Sequence, residues 1–227
     1  MQILSFPKWR WLSLMTVAVM FLGCASGIGV VATKEPSDHI RSVLVLPFQN
    51  LSRLYGAENH VRSPMTGKVF QTGAVAENAA GLLTAELIAH IRQETAFEPV
   101  SSSGLGDLVA DMERIRQAGD HTLGVVADLG RRFGADGVFV GYVYRYEERE
   151  GGTLGADKPA AVTFELYLVG VREGRVLWAG SYDELQKPLT EDLGRMGLFF
   201  KRGGQWITAE EMASSGLDTL FDRLAGP

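Results

Sequence analysis

Apolar positions recur along the chain in two periods. Ser42 to Phe48 is a short apolar run ended by Pro47, which predicts a buried strand whose last residues leave the sheet. Residues 49–73 are polar and rich in turn formers, among them Gly56, Asn59, Pro64 and Gly67, and predict a long loop. Loops of that length are uncommon in compact domains and often carry function, so the segment is a contact candidate. From Ala74 to Glu94 apolar residues stand at 75, 79, 82, 83, 87, 88 and 91, the spacing of an amphipathic helix. Phe97 to Val100 fits a short edge strand, and the serines at 101 to 103 with Gly104 fit the entry of a helix from Leu105 to Gln117. A third helix has its buried stripe at Thr122, Val125, Val126, Leu129 and Phe133. Arg131 and Arg132 suit its last turn, where the dipole favours cations, and Gly134 supplies a left-handed exit.

The period then changes to two. Within 136–148, Val138, Val140, Tyr142, Tyr144 and Tyr146 alternate with Phe139, Gly141, Val143, Arg145 and Glu147, which predicts a strand with those two sets on opposite faces. Residues 161–171 and 175–184 read as two more strands turning at Glu173-Gly174. After a stretch punctuated by Gly and Pro, Thr208-Ala-Glu-Glu211 is a capping-box pattern that opens a helix over 208–224. The order predicts one α/β (α+β) domain over residues 41–227, a mixed β-sheet packed by helices.

The N-terminus reads as an address. Lys8 and Arg10 precede an apolar run from Trp11 to Leu22, too short for the ~20 residues of a spanning helix and suited to a signal peptide over residues 1–23. Phe21-Leu22-Gly23-Cys24 resembles the lipobox of bacterial lipoproteins, which implies cleavage between Gly23 and Cys24 and acylation of the Cys24 thiol. The chain has no other Cys. A lone exposed thiol would gain a secreted protein nothing, whereas several acyl chains give a hold well beyond that of one myristoyl group. Ala25 follows the Cys, and resemblance to the sorting pattern then implies the outer membrane, with the domain on its periplasmic face. Residues 24–40 mix Gly, Ser, Lys, Glu and Pro with little apolar periodicity and are expected to be the lipidated tether.

Composition narrows the chemistry. A hydrophobic fraction of 46% and a mean hydropathy of +0.04 suit a globular core rather than a polytopic membrane protein. The formal charge of -5 becomes -7 once Lys8 and Arg10 are cleaved off, which excludes the basic footprint of a nucleic-acid binder. One Cys, with histidines scattered at 39, 60, 90 and 121, offers no metal-ligand spacing, so neither a metal nor a cofactor is expected. No nucleophile elbow, phosphate loop or metalloprotease motif occurs. Asp183 and Glu184 are neighbours on a strand and point to opposite faces, which rules out shared acid/base work, while Glu210 and Glu211 suit a helix start. The chain is expected not to be an enzyme.

Three segments carry a wider resemblance. Val43 to Phe48 with Asn50, Leu129 to Gly141, and Phe164 to Trp178 resemble the core of the TolB N-terminal-like lipoproteins, which include CsgG and LpoB. This implies a TolB N-terminal-like sheet, a tight helix-to-strand crossover ending Gly-Ala-Asp, and a hairpin with Trp178 packed inward. It also implies a non-catalytic accessory protein that binds an envelope complex; the alternative is a structural subunit of a CsgG-like secretion or envelope assembly. Arg145, Glu147, Glu148, Arg149 and Glu150 crowd the long alternating strand and leave no lipid-facing band for a barrel. Phe199, Phe200, Lys201, Arg202 and Trp206 set aromatics beside cations, the usual anchors of a protein interface. Phe199 and Trp206 could equally plug the end of the sheet. Expected partners are the membrane, through the lipid, and an envelope protein, with homo-oligomerisation left open.

Overall fold

The computed structural model describes residues 29–31, 39–100, 105–151, 156–186 and 206–224. In chain order the elements are β1 (Gly29–Val31), β2 (Ser42–Val45), β3 (Gln49–Asn50), α1 (Leu51–Tyr55), β4 (His60–Arg62), β5 (Val69–Gln71), α2 (Ala79–Glu94), β6 (Glu98–Pro99), α3 (Leu105–Gln117), α4 (Thr122–Phe133), β7 (Gly137–Glu147), β8 (Glu150–Gly151), β9 (Ala156–Lys158), β10 (Ala161–Gly170), β11 (Arg175–Leu185) and α5 (Ala209–Leu224). A seven-stranded sheet has the order β1-β11-β10-β7-β2-β6, with β3 also pairing with β7. β2 runs parallel to β6 and β7, while β7, β10, β11 and β1 form an antiparallel meander. This is the α+β fold, in one domain with a mixed sheet, that the residue pattern predicts.

Both faces of the sheet are covered, which explains why its central strand, β10, is buried at every position. On one face α2 presents Leu83, Leu87 and Ile91, and α5 presents Met212, Leu217, Leu220 and Phe221. They pack on Phe139, Val143, Phe164, Leu166, Trp178 and Tyr182. Ile115 of α3 and Val126 and Leu129 of α4 join the core on the other face with Val138, Val140, Tyr167 and Val169. Where apolar periods are long, sequence and structure agree closely. α4 ends at Gly134 with φ 69°, the left-handed exit that lets its N–H reach the carbonyls of Arg131 and Gly130. α5 opens with a reciprocal cap, in which the Glu211 N–H donates to Thr208 Oγ1 and the Thr208 N–H to Glu211 Oε2. Trp178 is buried, and Phe48 crosses β7 at Gly141, where a Cβ would fall 2.5 Å from its ring.

The structure corrects four expectations, each for an identifiable reason. α2 begins at Ala79 rather than Ala74, because Ala74 to Ala76 spend their backbone groups on β7: the Tyr146 N–H donates to Ala74 O, and the Ala76 N–H to Tyr146 O. The alternation of β7 breaks at a bulge. Thr163 faces Arg145 and Phe164 faces Val143, so Tyr144 is an extra residue without a partner on β10. As a result Tyr142 and Tyr144 enter one core while Tyr146 enters the opposite one. Part of the stretch expected as tether, Gly29–Val31, pairs with the edge of the sheet along Ala179 to Ser181. The segment 49–73, expected as a loop, carries β3, α1, β4 and β5, joined by turns.

Candidate functional site

That segment is built from short pieces, each held by its own polar residues. The Asn50 side chain caps α1 by accepting the Arg53 N–H at 2.9 Å, and Asn59 Nδ2 donates to Tyr55 O at 2.8 Å. Gly56 and Gly67 take positive φ at the two turns, where a side chain would be strained. β4 and β5 pair as a hairpin in which only the central residues, Val61 and Phe70, are buried. Phe70 stacks on Tyr144 with ring centroids 4.5 Å apart, so the bulge in β7 supplies the seat for the hairpin.

A polar layer fastens the hairpin to the sheet. Tyr144 donates to Glu165 Oε2 at 2.6 Å, and Thr66 Oγ1 donates to Glu165 Oε1 at 3.4 Å. Ser63 Oγ and the Tyr167 hydroxyl lie 2.7 Å apart. Lys68 Nζ donates to Ser181 Oγ at 2.9 Å and sits 4.7 Å over the Phe70 ring. Glu165 is only 2% exposed, and burial pushes its carboxyl above the ordinary value, against the hydrogen bonds from Tyr144, Tyr167 and Ser63 and the charge of Lys68. Burial, followed by the neighbouring Glu165, also raises the Tyr144 and Tyr167 phenols. These groups are closed in beneath the hairpin, and their hydrogen bonds hold it in place.

The exposed large side chains of the same segment have the opposite character. The large apolar residues that stand exposed among the described residues are Leu54 at 44%, Tyr55 at 56% and Val69 at 47%, all within 49–73. Beside Leu54 opens a cleft of about 810 Å³. It is lined by residues of four segments: Phe48 to Asn50 after β2, Ser52 to Leu54 on α1, Val75 to Ala80 at the entry of α2, and Met112 to Arg116 on α3. It lies beyond the carboxyl end of β2, where open α/β sheets commonly receive ligands.

Of the residues singled out from the sequence, Gly23, Cys24, Phe199, Phe200, Lys201 and Arg202 lie outside the described residues. Trp206 is half-buried ahead of α5, next to Ile207, whose N–H donates to Gln186 Oε1 at 3.0 Å. Asp183 accepts from Arg145 and Thr163, while Glu184 accepts from Tyr182, so the adjacent carboxylates do serve different faces. His90 packs 4.4 Å from the Phe221 ring with Nδ1 3.3 Å from Asp218. Sequence reasoning missed Glu165 and Tyr167. The available signal was one charged residue inside the apolar run Phe164-Glu-Leu-Tyr-Leu168.

No protein-family model and no curated protein matches the chain. Solved structures do. The chain is similar to PelC from Paraburkholderia phytofirmans, seen as a dodecamer, at 13% identity and a TM-score of 0.50, over 87% of this chain and 97% of that one. It is also similar to lipoprotein GNA1162 from Neisseria meningitidis, at 18% identity, TM-score 0.38, over 72% and 96% of the two chains. The LpoB C-terminal domain from Salmonella enterica matches at 18% identity, TM-score 0.37, over 66% and 87%. The PelC match shows a shared fold. Among the described residues no helix is long and apolar enough to cross a membrane.

Proposed function

We propose that this chain is an outer-membrane-anchored periplasmic lipoprotein, acylated at Cys24, that acts as a non-catalytic accessory protein for an envelope complex. The observation that carries the binding role is that the large apolar residues exposed among the described residues, Leu54, Tyr55 and Val69, all belong to one insertion. A segment fastened by buried hydrogen bonds that exposes large apolar side chains is a preorganised contact candidate. Anchoring would then raise a partner's effective concentration at the membrane without demanding tight intrinsic affinity. The lipobox-like Phe21-Leu22-Gly23-Cys24 supports the anchor, and the resemblance to envelope lipoproteins supports the class.

The test is in-cell photocrosslinking from Tyr55 and Val69, with Arg175 at the opposite end of the sheet as control. Discrete adducts from the first two and none from Arg175 are expected; equal labelling at all positions refutes the surface. Separately, Cys24→Ser should move the protein from the membrane to the soluble fraction, and unchanged fractionation refutes the anchor.

A second reading is favoured by the dodecamer of the similarly folded PelC. In it the chain is a structural subunit that closes into a ring with copies of itself. Light scattering of the detergent-solubilised lipoprotein separates the two: a discrete large oligomer supports the ring, and a monomer supports the adaptor.

A further inference from the structure

The course of the chain into the sheet limits how far the insertion can stand from an anchor at Cys24. β1 pairs with β11 through Gly29 opposite Ser181, and the same row continues through Glu165 on β10 and Tyr142 on β7 to Gln49, the first residue of the insertion. Lys68 of the hairpin reaches the Ser181 side chain at 2.9 Å, so the hairpin lies beside the residue at which the N-terminal strand begins to pair. Five residue steps separate Cys24 from Gly29, and a fully extended chain of that length spans at most about 18 Å. β1 and β10 both run antiparallel to β11, so the N-terminal end of β1 points toward the end of the sheet where β10 begins and β7 and β11 finish. The β10–β11 turn is at the other end, past Gly170, and the β6 edge is five strand spacings from β1, about 24 Å away. A bilayer holding Cys24 is therefore close to the β1–β11 edge and the hairpin, and the β6 edge and the β10–β11 turn face away from it.

We infer that the β4–β5 hairpin docks a protein embedded in the outer membrane, meeting its periplasmic rim with Val69 at the contact. The inference rests on acylation of Cys24 and on the accessory-protein reading, and adds to them where the partner sits. The bilayer itself does not suit this surface. Around Val69 the exposed charges are Arg62 and Lys68 beside Glu58, short of the roughly four or more basic residues, or the continuous apolar face, with which proteins hold lipid. A partner diffusing in the periplasm does not suit the geometry either. An anchor raises effective concentration only for a partner confined to the same layer, and a span of about 18 Å keeps the hairpin in that layer. One exposed aliphatic side chain on a hairpin fastened by buried hydrogen bonds is enough when the partner is held at the same height.

The test uses the full-length lipoprotein in cells, with benzoylphenylalanine in place of Val69 as photocrosslinker. The captured protein should carry membrane-spanning segments, and in cells lacking the lipoprotein it should stay in the outer membrane through carbonate extraction. Two changes then lengthen the span without touching the insertion. One inserts about twenty Gly and Ser residues after Ser26. Effective concentration falls roughly as the −3/2 power of length, so the adduct yield should drop about ten-fold. The other combines Gly29→Pro, Val30→Pro and Val31→Pro, which removes the N–H donors of β1 and lets the chain run free as far as Ile40; the yield should drop about five-fold. The inference is overturned if Val69 gives no adduct, or if the adduct is with a phospholipid, a soluble periplasmic protein, an inner-membrane protein or a second copy of this chain. It is equally overturned if both lengthened variants crosslink as strongly as the parent. Cys24→Ser, run in parallel, reports on the anchor alone: unchanged fractionation refutes acylation, whereas release to the soluble fraction together with yields insensitive to span refutes only the placement of the partner.

Discussion

The buried Glu165 makes stability depend on pH in a direction opposite to that of an ordinary salt-bridged carboxylate. Its folded-state pKa lies above its usual 4.5, with burial as the main cause, so the folded protein holds this proton more tightly than the unfolded chain does. Between the unfolded and folded values the native state therefore binds more protons, and by linkage stability falls as pH rises through that window. The penalty is absent below pH 4 and complete once pH exceeds the folded value. Each unit of displacement corresponds to about 1.4 kcal/mol. Glu165→Gln keeps the volume and an acceptor for Tyr144 but cannot ionise. Urea unfolding of both proteins from pH 4 to pH 8 should show the stability of the Gln variant relative to the parent increasing across the series. At pH 4 the two should agree within roughly 1 kcal/mol, the spread expected for one altered neutral hydrogen bond. Other titrating groups cancel in the difference. A variant that instead loses ground to the parent as pH rises would mean that Tyr144, Thr66 and Lys68 more than offset burial, and the account of this layer would be wrong.

Three further outcomes follow from packing. Phe70→Ala removes the ring stacked on Tyr144 and should cost about 3–5 kcal/mol in denaturant unfolding, with easier proteolysis at residues 60–71. Gly141→Ala puts a methyl 2.5 Å from the Phe48 ring, and thermal unfolding should show a loss of about 1–3 kcal/mol. Thr208→Ala deletes the side-chain acceptor of the α5 cap and should cost about 1 kcal/mol, visible as a lower urea midpoint with an unchanged slope.

What could be read in the sequence was what repeats along it. α4, α5 and the strands β10 and β11 carry several periods each, and Gly134 and Thr208 mark ends through local chemistry. The insertion has no such repetition. Each strand of its hairpin shows a single buried residue, and what holds it, the Ser63–Tyr167 and Thr66–Glu165 contacts, joins positions about a hundred apart in the chain. The bulge was hidden for a related reason. Alternation in β7 continues on paper through Tyr146, and only pairing with β10 reveals that Tyr144 is extra. The α2 start was misread because apolar Val75 serves the sheet at the same spacing that would serve a helix face. The exposed Leu54 and Tyr55 were included in the contact candidate, whereas the cleft depends on α3 approaching α1 and has no local signature.

The surplus residue in β7 ties two parts of the molecule into one inheritable unit. It keeps the face of Tyr142 and brings its neighbour Arg145 to that same side, where the Tyr144 ring seats Phe70 and its hydroxyl reaches Glu165. A shortened homologue lacking residues 49–73 would leave that tyrosine facing water and an acid uncovered in mid-sheet. Deletion of the segment should therefore survive only alongside replacement of the tyrosine by a polar residue and of the glutamate by an aliphatic one. The three changes form a single evolutionary step, and a designer grafting this insertion onto another sheet would have to transfer all of them together.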